Sequence, residues 1–473
     1  MKQNIASRID MVRGALEPAL IVEDPEARAR YSRDWSGDYV GSPALVVRPR
    51  TTEEVAQVVR LCAASQVSIV PQGGHTGLVG GATPSPASEE VIVSLERMNR
   101  IRQIDPLNFS MIAEAGCVLQ SVQEAALEED RYFPLALGAQ GSCQIGGNIA
   151  TNAGGLNVLR YGMMRDLVLG VEAVLADGQI WNGLRNLRKN NTGYDLKQLF
   201  LGSEGTLGVV TAAALKLFPR PTQVVTAFLA VESISAAMEI YGLARRDLSD
   251  LLSAFELIPR NGVELAMQVM PDLRDPLRAP SPAYVLLEAA ASGLANLPAM
   301  MEKFLESLVA DGLVVDGAVA ANKAQTAAFW RIREGMIEAQ VRHGRHLRTD
   351  VSVPISSIPR FIAETDALLA ERAPQAILLR YGHVGDGNIH YNVLPPSRLL
   401  PSEVAGYLHR CEETIFEVVD RFGGSISAEH GIGITKRAAF LERISPLHLD
   451  LLRGVKSAFD PGRLLSPGRV VPS

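Results

Sequence analysis

The sequence predicts an α+β protein of more than one domain, on three observations. At 473 residues the chain has room for several domains of roughly 100–200 residues each, and its 47% apolar and 21% charged composition is ordinary for a globular enzyme. Residues 44–220 interleave short apolar strands with helical stretches and three glycine-rich segments. Beyond Pro219–Arg220–Pro221, apolar strands alternate with longer helical stretches, the pattern of an antiparallel sheet flanked by helices. The expected organisation is an N-terminal helical arm (1–43), a first domain (44–220), a second domain (221–425) and a small C-terminal helical segment (426–473).

Taken in order, Ala44–Val47 reads as a strand, and Thr51-Thr52-Glu53-Glu54 as a capping box opening a helix to about Ser65. The strand Ser68–Val70 runs into P-Q-G-G-H-T-G-L-V-G-G, Pro71 to Gly81. Successive amides left uncovered by glycine form nests that hold anions such as pyrophosphate, although a flexible surface loop has the same composition. Two further glycine-rich segments follow, Leu137–Tyr161 and Asn190–Thr211, with a strand at Val171–Ala176. Neither has G-x-G-x-x-G after a strand or G-x-x-x-x-G-K-[ST], which disfavours Rossmann and P-loop nucleotide sites. Three separated glycine segments, poor in Lys and Arg, instead suggest one long cofactor held by backbone amides. The second half reads as strands at Val224–Val231, Ala254–Ile258, Tyr284–Glu288 and Leu313–Val315, with helices ending near Leu248, Met270 and Asp311. Long helices follow at Ala320–Arg342 and Val404–Phe422.

The net charge of −6 and the lack of a Lys/Arg block argue against a nucleic-acid partner. Cys62, Cys117, Cys143 and Cys411 are scattered, too few for a disulfide framework and expected to be reduced. With no apolar run of about 18 residues and no signal-like N-terminus, the expectation is a cytoplasmic protein without a membrane span.

The chemistry concentrates in R-Y-G-H-V-G-D-G-N-I-H-Y-N, Arg380 to Asn392. It reads as two strands joined by a two-residue turn at Asp386–Gly387. Such a turn places His383 directly opposite His390, with Cβ atoms roughly 4.5–5.5 Å apart and Asn392 on the same face. Two readings follow: imidazoles sharing a metal ion, or two surface histidines.

The joint order of P-Q-G-G-H-T-G-L-V-G-G, G-G-N-I-A-T-N-A-G-G and N-N-T-G-Y-D-L-K-Q-L-F-x-G-S-E-G-T-L-G resembles the vanillyl-alcohol-oxidase/p-cresol-methylhydroxylase flavoproteins. G-H-V-G-D-G-N-I-H-Y-N with S-A-E-H-G-I-G is similar to their D-2-hydroxyacid dehydrogenase branch, over about Ala44 to Val470. The resemblance implies a two-subdomain FAD-binding domain at 44–220 and a substrate domain at 221–425. It also implies that residues 426–473 complete the active site. FAD contacts fall to Pro71, Gly73, Gly74, His75, Thr76, Gly77, Gly138, Ser142, Gly146, Gly147, Asn148, Thr151, Asn152, Gly154, Gly155, Gly162, Glu204, Gly208 and Val209. A histidine in a G-G-H context is covalently bonded to flavin in berberine-bridge-type proteins; for His75 the expectation is a non-covalent contact. The family's metal site maps to His383, His390 and Glu429, the ion usually being zinc, and its catalytic base to His430.

The implied activity is oxidation of a D-2-hydroxy acid, D-2-hydroxyglutarate foremost, to the 2-oxo acid by hydride transfer to flavin N5. Electrons then pass to an electron-transfer flavoprotein or a quinone, and relatives are often homodimers. D-lactate, D-malate, or a role as flavin-carrying subunit of a glycolate-oxidase-like assembly are the alternatives. Two histidines and a carboxylate leave coordination positions open, as catalytic divalent sites require. Substrate contacts are expected from Arg333, Arg348 and Asn392, the two guanidinium groups clamping a distal carboxylate. Ile337 stands where close relatives carry threonine, which narrows the pocket in favour of smaller acids.

Overall fold

A computed structural model describes residues 4–37, 39–87 and 89–472. It is α+β and forms two compact units. The first comprises the chain up to Gly155, Gly162–Arg220 and everything from Glu429 onward; the second comprises Leu156–Tyr161 and Pro221–Ala428. Among the described residues no helix is long and apolar enough to cross a membrane.

The first unit holds two main sheets. Parallel strands Leu45–Val47, Glu90–Ser94 and Ser68–Gln72 form one, with Glu90–Ser94 in the centre. Five antiparallel strands form the other, in the order Ile101–Asp105, Ser110–Glu114, Val209–Lys216, Val168–Val174, Ile180–Asn182. The helix Thr52–Ser65 starts as its sequence dictates. Thr51 Oγ1 accepts from the Glu54 N–H at 3.1 Å, and the Glu54 carboxylate reaches back to the Arg50 N–H at 2.6 Å.

The N-terminal residues are not a separate arm. Ile9, Val12, Leu16, Leu20 and Ile21 are buried in one core with Leu45, Val55, Val59 and Val91, because the amphipathic helix Ile5–Ala15 has its apolar face to cover. The C-terminal tail is equally integral. Leu465 pairs in parallel with Ile69, whose N–H donates to Leu464 O at 2.8 Å and whose carbonyl accepts from Ser466 N at 2.7 Å.

The second unit is built on an antiparallel sheet ordered Leu252–Pro259, Ala283–Ala291, Gln223–Val231, Asp316–Val319. A smaller sheet orders Val351–Ser352, Asn388–Leu394 and Ile377–Tyr381. The long helix Lys323–His343 is capped by Asn322, which accepts from Gln325 N at 3.1 Å, and its Phe329, Ile332 and Met336 pack on Phe228, Ile258 and Leu286. One strand is displaced from its expected position. Leu313 N closes the preceding helix on Leu308 O, so pairing begins three residues later, at Asp316–Val319 rather than Leu313–Val315. Leu156–Tyr161, inside the second glycine-rich segment, groups with this unit, where Leu159 lies against Gly385.

Candidate active site

In the first unit the strand Ser68–Gln72 delivers the first glycine loop. Gln72 Nε2 anchors its base, donating to Tyr31 O at 3.2 Å and Ala82 O at 2.7 Å. Beyond it, none of the backbone N–H groups of Gly73, Gly74, His75, Thr76 and Gly77 donates to another described residue. Open consecutive amides of this kind form an anion nest. The loop lies directly on the second glycine segment, since a Cβ on Gly74 would strike the Ser142 carbonyl. Nearby, Gln144 Oε1 and Asn148 Nδ2 are buried without a hydrogen-bond partner among the described residues. Orphan polar atoms beside open amides are what a phosphate-bearing cofactor with a polar ring would satisfy.

His75 sits at φ 56°, and both ring nitrogens are engaged: Nε2 with Thr83 Oγ1 at 2.9 Å and Nδ1 with Arg30 O at 3.3 Å. Burial, partly offset by the Arg30 carbonyl and Asp34, pulls its pKa below the usual imidazole value.

Other residues of the expected cofactor set also make contacts within the chain. Thr151 Oγ1 donates to Gly147 O at 3.1 Å, and Asn152 Oδ1 accepts from Arg165 N at 2.9 Å. A side chain on Gly162 would meet Asp166, one on Gly208 would meet Phe200, and Val209 is wholly buried in its strand. Glu204, also of the expected cofactor set, makes a structural contact through its carboxylate. Its two oxygens accept from Ile432 N at 2.8 Å and Gly433 N at 2.7 Å, clamping the segment just beyond His430. Burial raises its pKa against the pull of those two N–H groups and of Lys436.

In the second unit the histidine hairpin differs from the expected register. Tyr381, not His383, pairs with His390, and Arg380 pairs with Tyr391. The connection is six residues long, Gly382 to Gly387, for two reasons. Gly382 leaves the hairpin ladder to bridge Leu257, and the Asp386 carboxylate accepts from Asn388 N at 3.2 Å in a side-chain turn. Of the expected turn pair only Gly387 has positive φ, at 90°. The directly opposed pair is therefore absent, yet the two imidazoles still meet, with ring centroids 5.7 Å apart and planes at 78°.

Beside them is a residue the sequence did not single out. Glu256, on the strand Leu252–Pro259, is fully buried. Its Oε1 hydrogen-bonds His383 Nδ1, and its Oε2 accepts from Arg333 Nε at 2.9 Å. Burial opposes its charge, but His383 and Arg333 together hold its pKa down to about 2. Arg333 is 6% exposed and lies 4.4 Å over the Tyr381 ring. Asn392, expected at the substrate, is buried as a brace: it donates to Gln340 Oε1 at 2.7 Å and Tyr381 OH at 3.0 Å, and accepts from Thr349 N at 2.9 Å. Arg348 is half-buried on the same extended segment, and Ile337 is exposed.

Glu429 follows Ala428, whose N–H donates to Asp350 O at 3.1 Å. His383, His390 and Glu429 each offer a ligand atom, all within 4.8 Å of one another. Two imidazoles and a carboxylate at that spacing match the donor set of a divalent cation with open positions. Glu429 Oε1 also accepts from Gly155 N at 2.6 Å, and His430 comes next, half-buried, before Gly431 at φ 81°.

An amide nest built on glycine loops defines a site for a phosphate-bearing group, and the comparisons name the class of protein. Residues 43–183 match the FAD binding domain family and residues 220–470 the C-terminal domain of FAD linked oxidases. The chain belongs to the FAD-linked oxidase family and is an FAD-dependent oxidoreductase. It is 38% identical over 452 residues to the mitochondrial D-2-hydroxyglutarate dehydrogenase of Arabidopsis thaliana, covering 96% of this chain and 79% of that protein. The D-2-hydroxyglutarate dehydrogenase of Xanthomonas citri pv. viticola is also 38% identical, over 96% of this chain and 94% of its own. Among solved structures, p-cresol methylhydroxylase with substrate bound superposes with a TM-score of 0.75 at 16% identity, covering 98% of this chain and 96% of that one. Alkyldihydroxyacetonephosphate synthase superposes with a TM-score of 0.73 at 16% identity, covering 98% and 85%. These two likenesses establish the fold.

Proposed function

We propose that this protein oxidises a D-2-hydroxydicarboxylate, D-2-hydroxyglutarate first, to the 2-oxo acid. The convergence of His383, His390 and Glu429 carries the reading, and the names of the relatives support it. Bound FAD supplies the hydride acceptor, and a divalent ion held by His383, His390 and Glu429, zinc by family likeness, supplies a Lewis acid for the hydroxyl and carboxylate oxygens. His430 takes the hydroxyl proton, a task suited to an imidazole near neutral pH. Arg348 takes the distal carboxylate, since Arg333 already spends its Nε on Glu256. The loop amides of Gly73–Gly77 hold the pyrophosphate, and the electrons leave to a flavoprotein or quinone acceptor.

Dye-linked turnover of D- and L-2-hydroxy acids by the purified single chain tests this. D-2-hydroxyglutarate is expected to be turned over and its L-isomer not. A chelator is expected to abolish turnover, with recovery on adding Zn2+ or Mn2+ and no change in flavin absorbance. Chelator-insensitive oxidation rules out the metal role, and inactivity of the single chain favours a subunit of a larger assembly. A second reading, D-malate or D-lactate, is favoured by the commitment of Arg333 to Glu256; preferential turnover of the shorter acids would establish it.

The FAD is held without a covalent bond, a reading supported by the engagement of both His75 ring nitrogens. Acid precipitation is expected to leave all the yellow colour in the supernatant. A yellow pellet that survives washing would overturn this.

A further inference from the structure

We infer that Glu256 is the positioning residue of the candidate metal site, fixing His383 through Nδ1 so that Nε2 is the nitrogen offered to a cation. This rests on the proposed reading of His383, His390 and Glu429 as metal ligands.

Glu256 shares a strand face with Ala254 and Ile258, and Ile258 lies in the apolar core under the long helix. A carboxylate there is costly unless each oxygen finds a charged or hydrogen-bonding partner. Both do. Arg333 Nε takes Oε2, and the His383 ring takes Oε1. An ionised carboxylate only accepts, so His383 Nδ1 must carry a proton, and in the neutral ring that leaves the lone pair on Nε2. A metal-binding imidazole whose other nitrogen donates to a carboxylate is fixed in tautomer and ring orientation, and made more basic.

The arrangement is braced from behind. Arg333 lies over the Tyr381 ring, and the Tyr381 hydroxyl receives hydrogen bonds from both Asn392 Nδ2 and Gln340 Nε2. Tyr381 in turn lies 5.2 Å from the His390 ring, centroid to centroid. Arg333 and Asn392 thereby brace one imidazole each, through Glu256 and Tyr381. The glutamate is a positioning residue, since it touches neither the cation nor the substrate.

The test titrates the FAD-loaded chain with Mn2+ alone, following free Mn2+ by electron paramagnetic resonance. Glu256→Gln is expected to weaken Mn2+ binding roughly 10–100-fold. Glu288→Gln removes another carboxylate of the same sheet, one that serves Thr226 and the helix residue Trp330, and it is expected to leave the affinity within about threefold. His390→Ala should abolish binding. If His390→Ala abolishes it while Glu256→Gln stays within about threefold of wild type, the role of Glu256 is overturned and the metal reading stands. If His390→Ala changes nothing, both fall. Should Glu256→Gln fail to fold, imidazole 15N shifts of the metal-free wild-type protein decide. The Nδ1–H tautomer at His383 supports the assignment, and the Nε2–H tautomer overturns it.

Discussion

Replacing His430 with asparagine is expected to lower dye-linked turnover of the preferred D-2-hydroxy acid by roughly 10²–10⁴-fold, the usual worth of a positioned general base. The loss should fall on kcat, with KM changed little and the flavin spectrum intact. The structure favours so clean an outcome because the backbone around His430 is held by other groups. On one side Glu429 Oε1 accepts from Gly155 N; on the other the two oxygens of Glu204 hold Ile432 N and Gly433 N. Asparagine keeps polarity and much of the volume but cannot accept a proton near neutral pH. Equal turnover by the variant would remove His430 from the mechanism, and loss of flavin would assign it to cofactor binding.

Arg469→Met is expected to destabilise the protein by about 3–5 kcal/mol, the cost of leaving one partner of a buried ion pair alone. Arg469 is 2% exposed; Nη1 meets Glu90 Oε1 at 2.5 Å and Nη2 donates to Thr83 O at 2.5 Å. Glu90 opens the central strand of the parallel sheet, and Thr83 Oγ1 is the partner of His75. The same substitution should therefore loosen FAD as well as the fold. A fall in the midpoint of chaotrope unfolding, together with earlier flavin release, checks it. The double variant Glu90→Leu/Arg469→Met is expected to lie closer to wild type than either single variant, because it removes the stranded charge. A double variant worse than both would show that the pair stabilises by its own attraction.

The features legible in the sequence are those written in local code. Thr51 and Glu54 announce a helix start: Thr51 Oγ1 caps Glu54 N, and the Glu54 carboxylate takes the Arg50 N–H. Apolar runs place the strands of the second unit within a few residues. His383 and His390 were legible as a pair, but their register was not, because Gly382 prefers a bridge to Leu257 over continuing the hairpin. Glu256 left no trace at all. It lies 127 residues from His383 in a strand that reads as ordinary core, and only the folded sheet brings the two together. Arg333 was visible as a candidate cation, whereas its partner Glu256 was not.

The pairing of Leu465 with Ile69 orders the molecule in time as well as space. During synthesis the second unit has all its residues once Ala428 has left the ribosome. The parallel sheet of the first unit, made much earlier, still lacks Leu465 beside Ile69 and Arg469 beside Glu90. The strand that leads into the first glycine loop therefore meets Leu465 only after the whole second unit has been made. The second unit therefore has its full set of residues before the first does, although the first begins earlier in the chain.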